Sequence, residues 1–253
     1  MANLAGDIAM VTGGATGIGA AIAEALAEMG ASVACCYHTS RAAAETLASK
    51  LKAQGLDIYL AKVDVTRSRE VEAAVDSIQT HFERPITILV NNAGDMIGTS
   101  PLDEMEEALW DNVINVNLKG AFLCARSCIP DMKTLNGGRI INITSISARS
   151  GGGPGAAPYA AGKAGLEALT RAMAKELAPF NITVNAVAPG VIDTAIHDRF
   201  NTPESLEKLR QIIPLARLGL PGEVARVVSF LASDDASYIT GETIAVNGGL
   251  RMD

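Results

Sequence analysis

The sequence predicts an α/β fold built on one doubly wound parallel sheet of about seven strands with helices on both faces. Three observations predict it. Short apolar runs alternate with segments of helical period along all 253 residues. A glycine-rich turn joins the first apolar run to the first helix. Small and polar residues recur just past the predicted strand ends, the rim where open α/β sheets gather ligands.

Taken in order, Ile8 to Val11 reads as a buried strand, and Ile22, Leu26 and Met29 share one face of a helix that stops at Gly30. A second strand covers 32–37 and a helix 41–54, closed by Gly55. Residues 57–63 form a third strand, and Val71, Val75, Ile78 and Phe82 fall on one helical face. The fourth strand is 86–90, followed by a long helical region over 104–132. The remaining strands are 139–144, 182–187 and 243–246, with helices over 159–178 and 223–232. Strands separated by helices pair in parallel through right-handed crossovers. Neither a Ser/Pro-rich linker nor a repeat divides the chain, so residues 1–253 read as one domain.

Hydrophobic residues make up 48% of the chain and glycines number 24, which suits close-packed helices on a sheet rather than disorder. A formal charge of −7 provides no electrostatic footprint for nucleic acid or an anionic membrane. Neither a leader-like opening nor a spanning apolar run is seen, so a soluble, cytoplasmic protein is expected. Cys35/Cys36 and Cys124/Cys128 read as reduced, packed thiols. With His38, His81 and His197 scattered, the sequence offers no metal-ligand pattern.

Two stretches carry chemistry. In Thr12-Gly13-Gly14-Ala15-Thr16-Gly17-Ile18-Gly19 a strand meets a helix N-terminus, directing backbone N–H groups and the helix dipole at an anion. Gly13 permits the tight turn, Gly17 admits a pyrophosphate, and Gly19 lets helix and strand approach closely. Fourteen residues past Ser145 comes Tyr159-Ala160-Ala161-Gly162-Lys163. Positions i and i+4 share a helix face, so phenol and ammonium point into one space. A charge about 4–5 Å from the phenolate, at an effective dielectric of about 20, stabilises it by roughly 3–4 kcal/mol. That is enough to bring a tyrosine towards neutral-pH proton transfer.

The ordered set Thr12-Gly13-x-x-x-Gly17-x-Gly19, Asp64, Asn91-Asn92-Ala93-Gly94, Asn117, Ser145, Tyr159-x-x-x-Lys163 and Pro189-Gly190 resembles the classical short-chain dehydrogenase/reductases over essentially the whole chain. The resemblance implies a Rossmann-type fold, a nicotinamide cofactor, hydride transfer at carbon–oxygen bonds and usually a homotetramer. It makes Tyr159 the acid/base, and Lys163 the holder of the nicotinamide ribose and, with the positive charge of the oxidised ring, depressor of the tyrosine pKa. Ser145 becomes the hydrogen-bonding partner of the substrate oxygen. Asn117 interrupts its helix and holds a water of a proton relay. Asp64 and Val65 contact adenine; Asn92, with Ala93 and Gly94, lies against the cofactor; beyond Pro189 and Gly190, Ile192 and Thr194 hold carboxamide and pyrophosphate. The loop from Ser145 to Tyr159 looks about one residue longer than in many members. A cofactor-sensing regulator without catalysis is the reading from another class, and the intact Tyr159/Lys163 pair speaks against it.

The second strand ends at Tyr37, where an acid would repel a 2′-phosphate, and continues with His38, Thr39, Ser40 and Arg41. NADP(H) is therefore favoured, with NAD(H) possible; Thr16 stands where many phosphate-preferring relatives carry a basic residue. Small residues on the 160–177 helix, and Gly120, Ala121, Cys124 and Ala125 on the 117–130 helix, predict pairing across a two-fold axis as a homodimer or D2 homotetramer. The resemblance leaves sugar or alcohol dehydrogenases and 3-oxoacyl carrier-protein reductases as branches. The latter commonly carry basic residues before the fifth strand and after the Tyr/Lys helix. Here these stretches are Leu135-Asn136-Gly137-Gly138 and Ala178-Pro179-Phe180-Asn181, without a positive charge, though Lys133 and Arg139 stand close. A small carbonyl or alcohol substrate is expected over the carrier-bound alternative. A small lid over 192–220 mixes His197, Asp198, Arg199 and Arg210 with Phe200 and Leu206.

Overall fold

The computed structural model describes residues 3–194 and 203–252. Seven strands, β1 (Ile8–Val11), β2 (Ser32–Tyr37), β3 (Ile58–Lys62), β4 (Ile88–Asn91), β5 (Gly138–Ile143), β6 (Ile182–Pro189) and β7 (Thr243–Val246), form one sheet. All six pairings are parallel, in the order β3-β2-β1-β4-β5-β6-β7. The chain winds outward from β1 to β3, returns, and winds the other way from β4. The reversal leaves a crevice at the carboxyl ends of β1 and β4.

Alternate strand residues feed two separate cores, as the two-residue period requires. Ala9 and Val11 pack with Ile22 and Leu26 of α1 (Gly17–Glu28), Leu51 of α2 (Arg41–Ala53) and Val228 of a later helix. Ile8 and Met10 pack on the other face with Ile78 of α3 (Ser68–Phe82) and with Leu123 and Met132 further along. A strand buried on both faces needs apolar residues throughout, which explains the unbroken runs.

The long helical region expected over 104–132 is divided. α4 (Glu107–Ile114) passes into a π-helical turn, Asn115–Lys119, and then α5 (Gly120–Leu135). The cause is Asn117. Its buried side-chain amide donates to the Val113 carbonyl four residues back at 2.8 Å, competing with the backbone ladder. α5 runs past Pro130 and closes at Asn136 in the left-handed conformation, φ 52°. After α6 (Ser147–Ser150) and α7 (Ala157–Leu177) come α8 (Pro203–Ile212) and α9 (Pro221–Ala232).

Gly120, Ala121, Cys124 and Ala125, expected at a subunit contact, are buried within this chain. A β-carbon on Gly120 would stand 2.7 Å from Val65 Cγ2, so small residues here serve the close seating of α5. The apolar groups left outside nearby are Phe122 and Trp110. On α7, Ala161, Ala168 and Ala172 are exposed as expected, whereas Leu166, Met173, Ala174 and Leu177 belong to the core. All four cysteines are free and buried, and burial pushes the thiols of Cys35 and Cys124 up to about 12. No described helix is long and apolar enough to cross a membrane. Within the expected lid, Ile192 bridges to Gly219 and α8 is helical, while His197, Asp198, Arg199 and Phe200 lie outside the described residues.

Candidate active site

The glycine turn is pinned from beside β4. Thr12 Oγ1 accepts hydrogen bonds from the backbone N–H groups of Asn92 and Ala93, both at 3.0 Å. The Asn92 amide donates in return to the carbonyls of Thr12 and Gly13, at 2.9 and 3.0 Å. Gly13 and Gly17 sit at φ 60° and 53°, where a side chain is strained. At Gly19 the reason for glycine is distance: a β-carbon would fall 2.1 Å from the Gly13 carbonyl oxygen. Thr194 closes the turn from above, its methyl 3.3 Å from where a Gly17 β-carbon would be.

The opposite wall is built by β5 and α7. Lys163 is 3% exposed, and its ammonium donates to the Ile143 carbonyl at 2.8 Å. Burial lowers its pKa to about 8. Its Nζ stands 5.7 Å from the centre of the Tyr159 ring. Tyr159 and Ser145 share this wall of the cavity, and Ser145 Oγ accepts from the Ser147 N–H at 3.1 Å. Burial raises the Tyr159 pKa, outweighing the neighbouring Ser145 hydroxyl that lowers it, and the Asp95 charge raises it further. Desolvation disfavours both the phenolate and the ammonium when each must stand without added charge.

Asn117 joins this wall from its π-turn. Its amide donates to the Asp95 carbonyl at 2.6 Å, while its buried Oδ1 has no partner among the described residues. A β-carbon on Gly94 would lie 2.6 Å from that Oδ1 and 2.9 Å from Lys163 Nζ, so both groups converge over Gly94.

Between the walls lies a cavity of about 590 Å³. Gly13, Thr16, Gly17, Ile18, Gly19, Asn92, Ala93 and Gly94 line one side, with Pro189, Gly190, Ile192 and Thr194. Ser145, Tyr159 and Lys163 line the other. His38, Arg41, Asp64 and Val65 are not among its lining. Asp64 accepts from the Thr66 hydroxyl at 2.7 Å and its backbone N–H at 3.0 Å. Burial tends to raise the Asp64 pKa, but those bonds, with the charges of His38 and Arg67, hold it below the ordinary carboxylate value. Arg41 opens α2 as an exposed ion pair with Glu45, 2.7 Å apart.

Met96, Ser147, Gly153 and Leu209 also line the cavity and were not singled out from sequence. Nor was a buried polar ladder: Asn91 Nδ2 donates to Asn142 Oδ1 at 2.9 Å, and Asn142 Nδ2 to Thr170 Oγ1 at 2.8 Å. The ladder ties β4, β5 and α7 together. Its one legible signal is an asparagine that ends the apolar run of β4 and another that interrupts the isoleucines of β5.

A glycine-turn crevice facing a serine, tyrosine and lysine defines a dinucleotide-binding oxidoreductase of carbon–oxygen bonds. Residues 13–251 match a family model described as Enoyl-(Acyl carrier protein) reductase. The chain belongs to the short-chain dehydrogenase/reductase family. It is 44% identical to the 3-oxoacyl-(acyl-carrier-protein) reductase FabG of Staphylococcus aureus strain Mu50 over 244 residues, covering 96% of this chain and 98% of the relative. It is also 44% identical to the FabG of Pseudomonas aeruginosa over 251 residues, 99% of each chain. A gluconate 5-dehydrogenase from Burkholderia cenocepacia, solved in complex with NADP and tartrate, superposes with a TM-score of 0.91. It is 34% identical, with 98% of this chain and 96% of that one covered.

Proposed function

We propose that the protein is an NADP(H)-dependent oxidoreductase interconverting a carbonyl and a secondary alcohol on a free small molecule, with Tyr159 as its acid/base. The observation that carries this reading is the convergence of Ser145, Tyr159 and Lys163 on one wall of the cavity whose other wall is the glycine turn. A backbone cradle in which Gly19 admits no β-carbon and Gly17 lies under Thr194 fits a pyrophosphate. The nicotinamide, when bound, supplies or accepts the hydride. Ser145 holds the substrate oxygen beside the phenol, and Tyr159 gives that oxygen its proton in reduction and takes it in oxidation. Lys163 holds the nicotinamide ribose and supplies the positive charge that favours phenolate. Asn117, through its buried Oδ1, orients a water that returns the proton from solvent towards Lys163.

For the cofactor, the support is local chemistry. β2 ends at Tyr37 without an acid, and Arg41 stands at the first turn of α2, where a 2′-phosphate can replace Glu45 as its partner. Asp64 and Val65 serve the adenine. The NADP in the B. cenocepacia structure agrees with this choice.

Acylated carrier protein is the second reading, favoured by the FabG relatives at 44% identity. Against it, Asn136 and Phe180 leave the two stretches that would meet an acidic partner without charge of their own. The cations beside them are Lys133, seated 4.7 Å over the Phe180 ring, and Arg139, paired with Asp234 at 3.1 Å. Both stretches adjoin the start of β5, the opposite end of that strand from Ser145. A panel of sugars, secondary alcohols, ketones and a 3-oxoacyl thioester, each with NADP(H) and NAD(H), tests the choice. Fastest turnover of a free small molecule is expected; far faster turnover of the 3-oxoacyl thioester makes the second reading correct.

The protein works in the cytoplasm as a homodimer or D2 homotetramer, the exposed Phe122, Trp110 and α7 alanines meeting a second copy. Residues 192–220 act as the lid. A monomeric mass by light scattering at micromolar concentration contradicts the assembly.

A further inference from the structure

We infer that the Arg149–Glu167 ion pair is a positioning device for the reaction, setting how the segment carrying Ser145 sits on the helix carrying Tyr159. The inference rests on the proposed roles of those two residues. Ser145 follows β5, and two residues later α6 begins; Tyr159, Lys163 and Glu167 occupy successive turns of one face of α7. Arg149, on α6, donates from Nε to Glu167 Oε2 at 3.2 Å. Among the described residues, no other ion pair joins α6 to α7. The loop between them contains Gly151, Gly152 and Gly155, all at positive φ, so its own backbone does little to fix the separation of its ends. The pair closes that loop one helical turn beyond Lys163.

The Glu167 side chain is 7% exposed, and its Oε1 has no partner among the described residues. A buried carboxylate satisfied on one oxygen is a poor stabiliser, because desolvation consumes the Coulomb gain. What the pair provides is orientation. Displacing a reacting group by about 1 Å costs on the order of a hundredfold in rate. A shift of α6 on α7 changes how Ser145 stands against Tyr159 on the cavity wall they share.

The test uses Glu167→Gln, Arg149→Met and the apolar double variant Arg149→Met/Glu167→Met, assayed with NADPH and the fastest carbonyl substrate of the panel. Each single variant is expected to lose tenfold or more in kcat, while the NADPH Kd from fluorescence titration stays within about twofold. The double variant is expected to regain a wild-type melting temperature and to keep the kcat defect, a combination that a purely structural pair does not produce. Wild-type kcat in the double variant, or single variants that lose only stability, overturns the inference. Tyr159→Phe in the same assay separates the two levels. If it turns over normally, the site reading has failed; if it is inactive while Glu167→Gln is unaffected, only the positioning role has failed.

Discussion

Lys163 offers the sharpest stability prediction. Its ammonium is 3% exposed, with one described hydrogen bond, to the Ile143 carbonyl, and its pKa falls from 10.5 to about 8. In the unfolded chain the lysine keeps an ordinary pKa near 10.4. Between pH 8 and 10.5 the unfolded state therefore holds a proton that the folded state has released, and stability rises with pH across that window. Below pH 8 both states are protonated, and the folded state carries the full cost of a buried charge. The difference, 10.5 minus about 8, corresponds at about 1.36 kcal/mol per pKa unit to roughly 3 kcal/mol. Lys163→Met removes the titration and keeps most of the stem packing. Urea unfolding of the cofactor-free proteins, wild type and Lys163→Met, across pH 7 to 10 isolates this group from the others. The wild type should gain about 2–3 kcal/mol on the variant over that range. A pH-independent difference refutes the claim that this ammonium is desolvated.

Two further predictions concern the cofactor wall. Gly19→Ala puts a β-carbon 2.1 Å from the Gly13 carbonyl oxygen, so α1 must move. A loss of about 1–3 kcal/mol in urea unfolding and weakened NADPH binding are expected; unchanged NADPH affinity by fluorescence titration contradicts the close-approach argument. Arg41→Ala should raise the KM for NADP more than that for NAD, and equal effects in steady-state kinetics mean that Arg41 stays with Glu45.

Most of the sheet was legible because its strands are buried on both faces. Ile8 to Val11 and Ser32 to Tyr37 read correctly to the residue, since an unbroken apolar run ends where burial ends. β4 starts later than the apolar run implies: Ile86 is fully buried, but pairing with β1 begins at Ile88. Burial and backbone pairing are different constraints, and composition reports only the first. The site's motifs were legible because each depends on local spacing, as in the i,i+4 pair Tyr159 and Lys163. What escaped depends on long-range contact. The Asn91–Asn142–Thr170 ladder joins residues far apart in sequence. The small residues of α5 carried a real signal of close packing, but sequence could not say that the neighbour was Val65 of the same chain. Spacing likewise places a charge beside Tyr159 without revealing the desolvation that opposes it.

The central claim is that Tyr159 transfers the substrate proton in a reaction whose hydride belongs to the nicotinamide. The most direct measurement compares wild type with Tyr159→Phe, following dihydronicotinamide absorbance with the fastest carbonyl of the panel and titrating NADPH binding in parallel. Removing one hydroxyl should lower kcat by about a hundredfold or more while NADPH affinity stays near wild type. A Phe variant that reduces the carbonyl at near-normal rate contradicts the account.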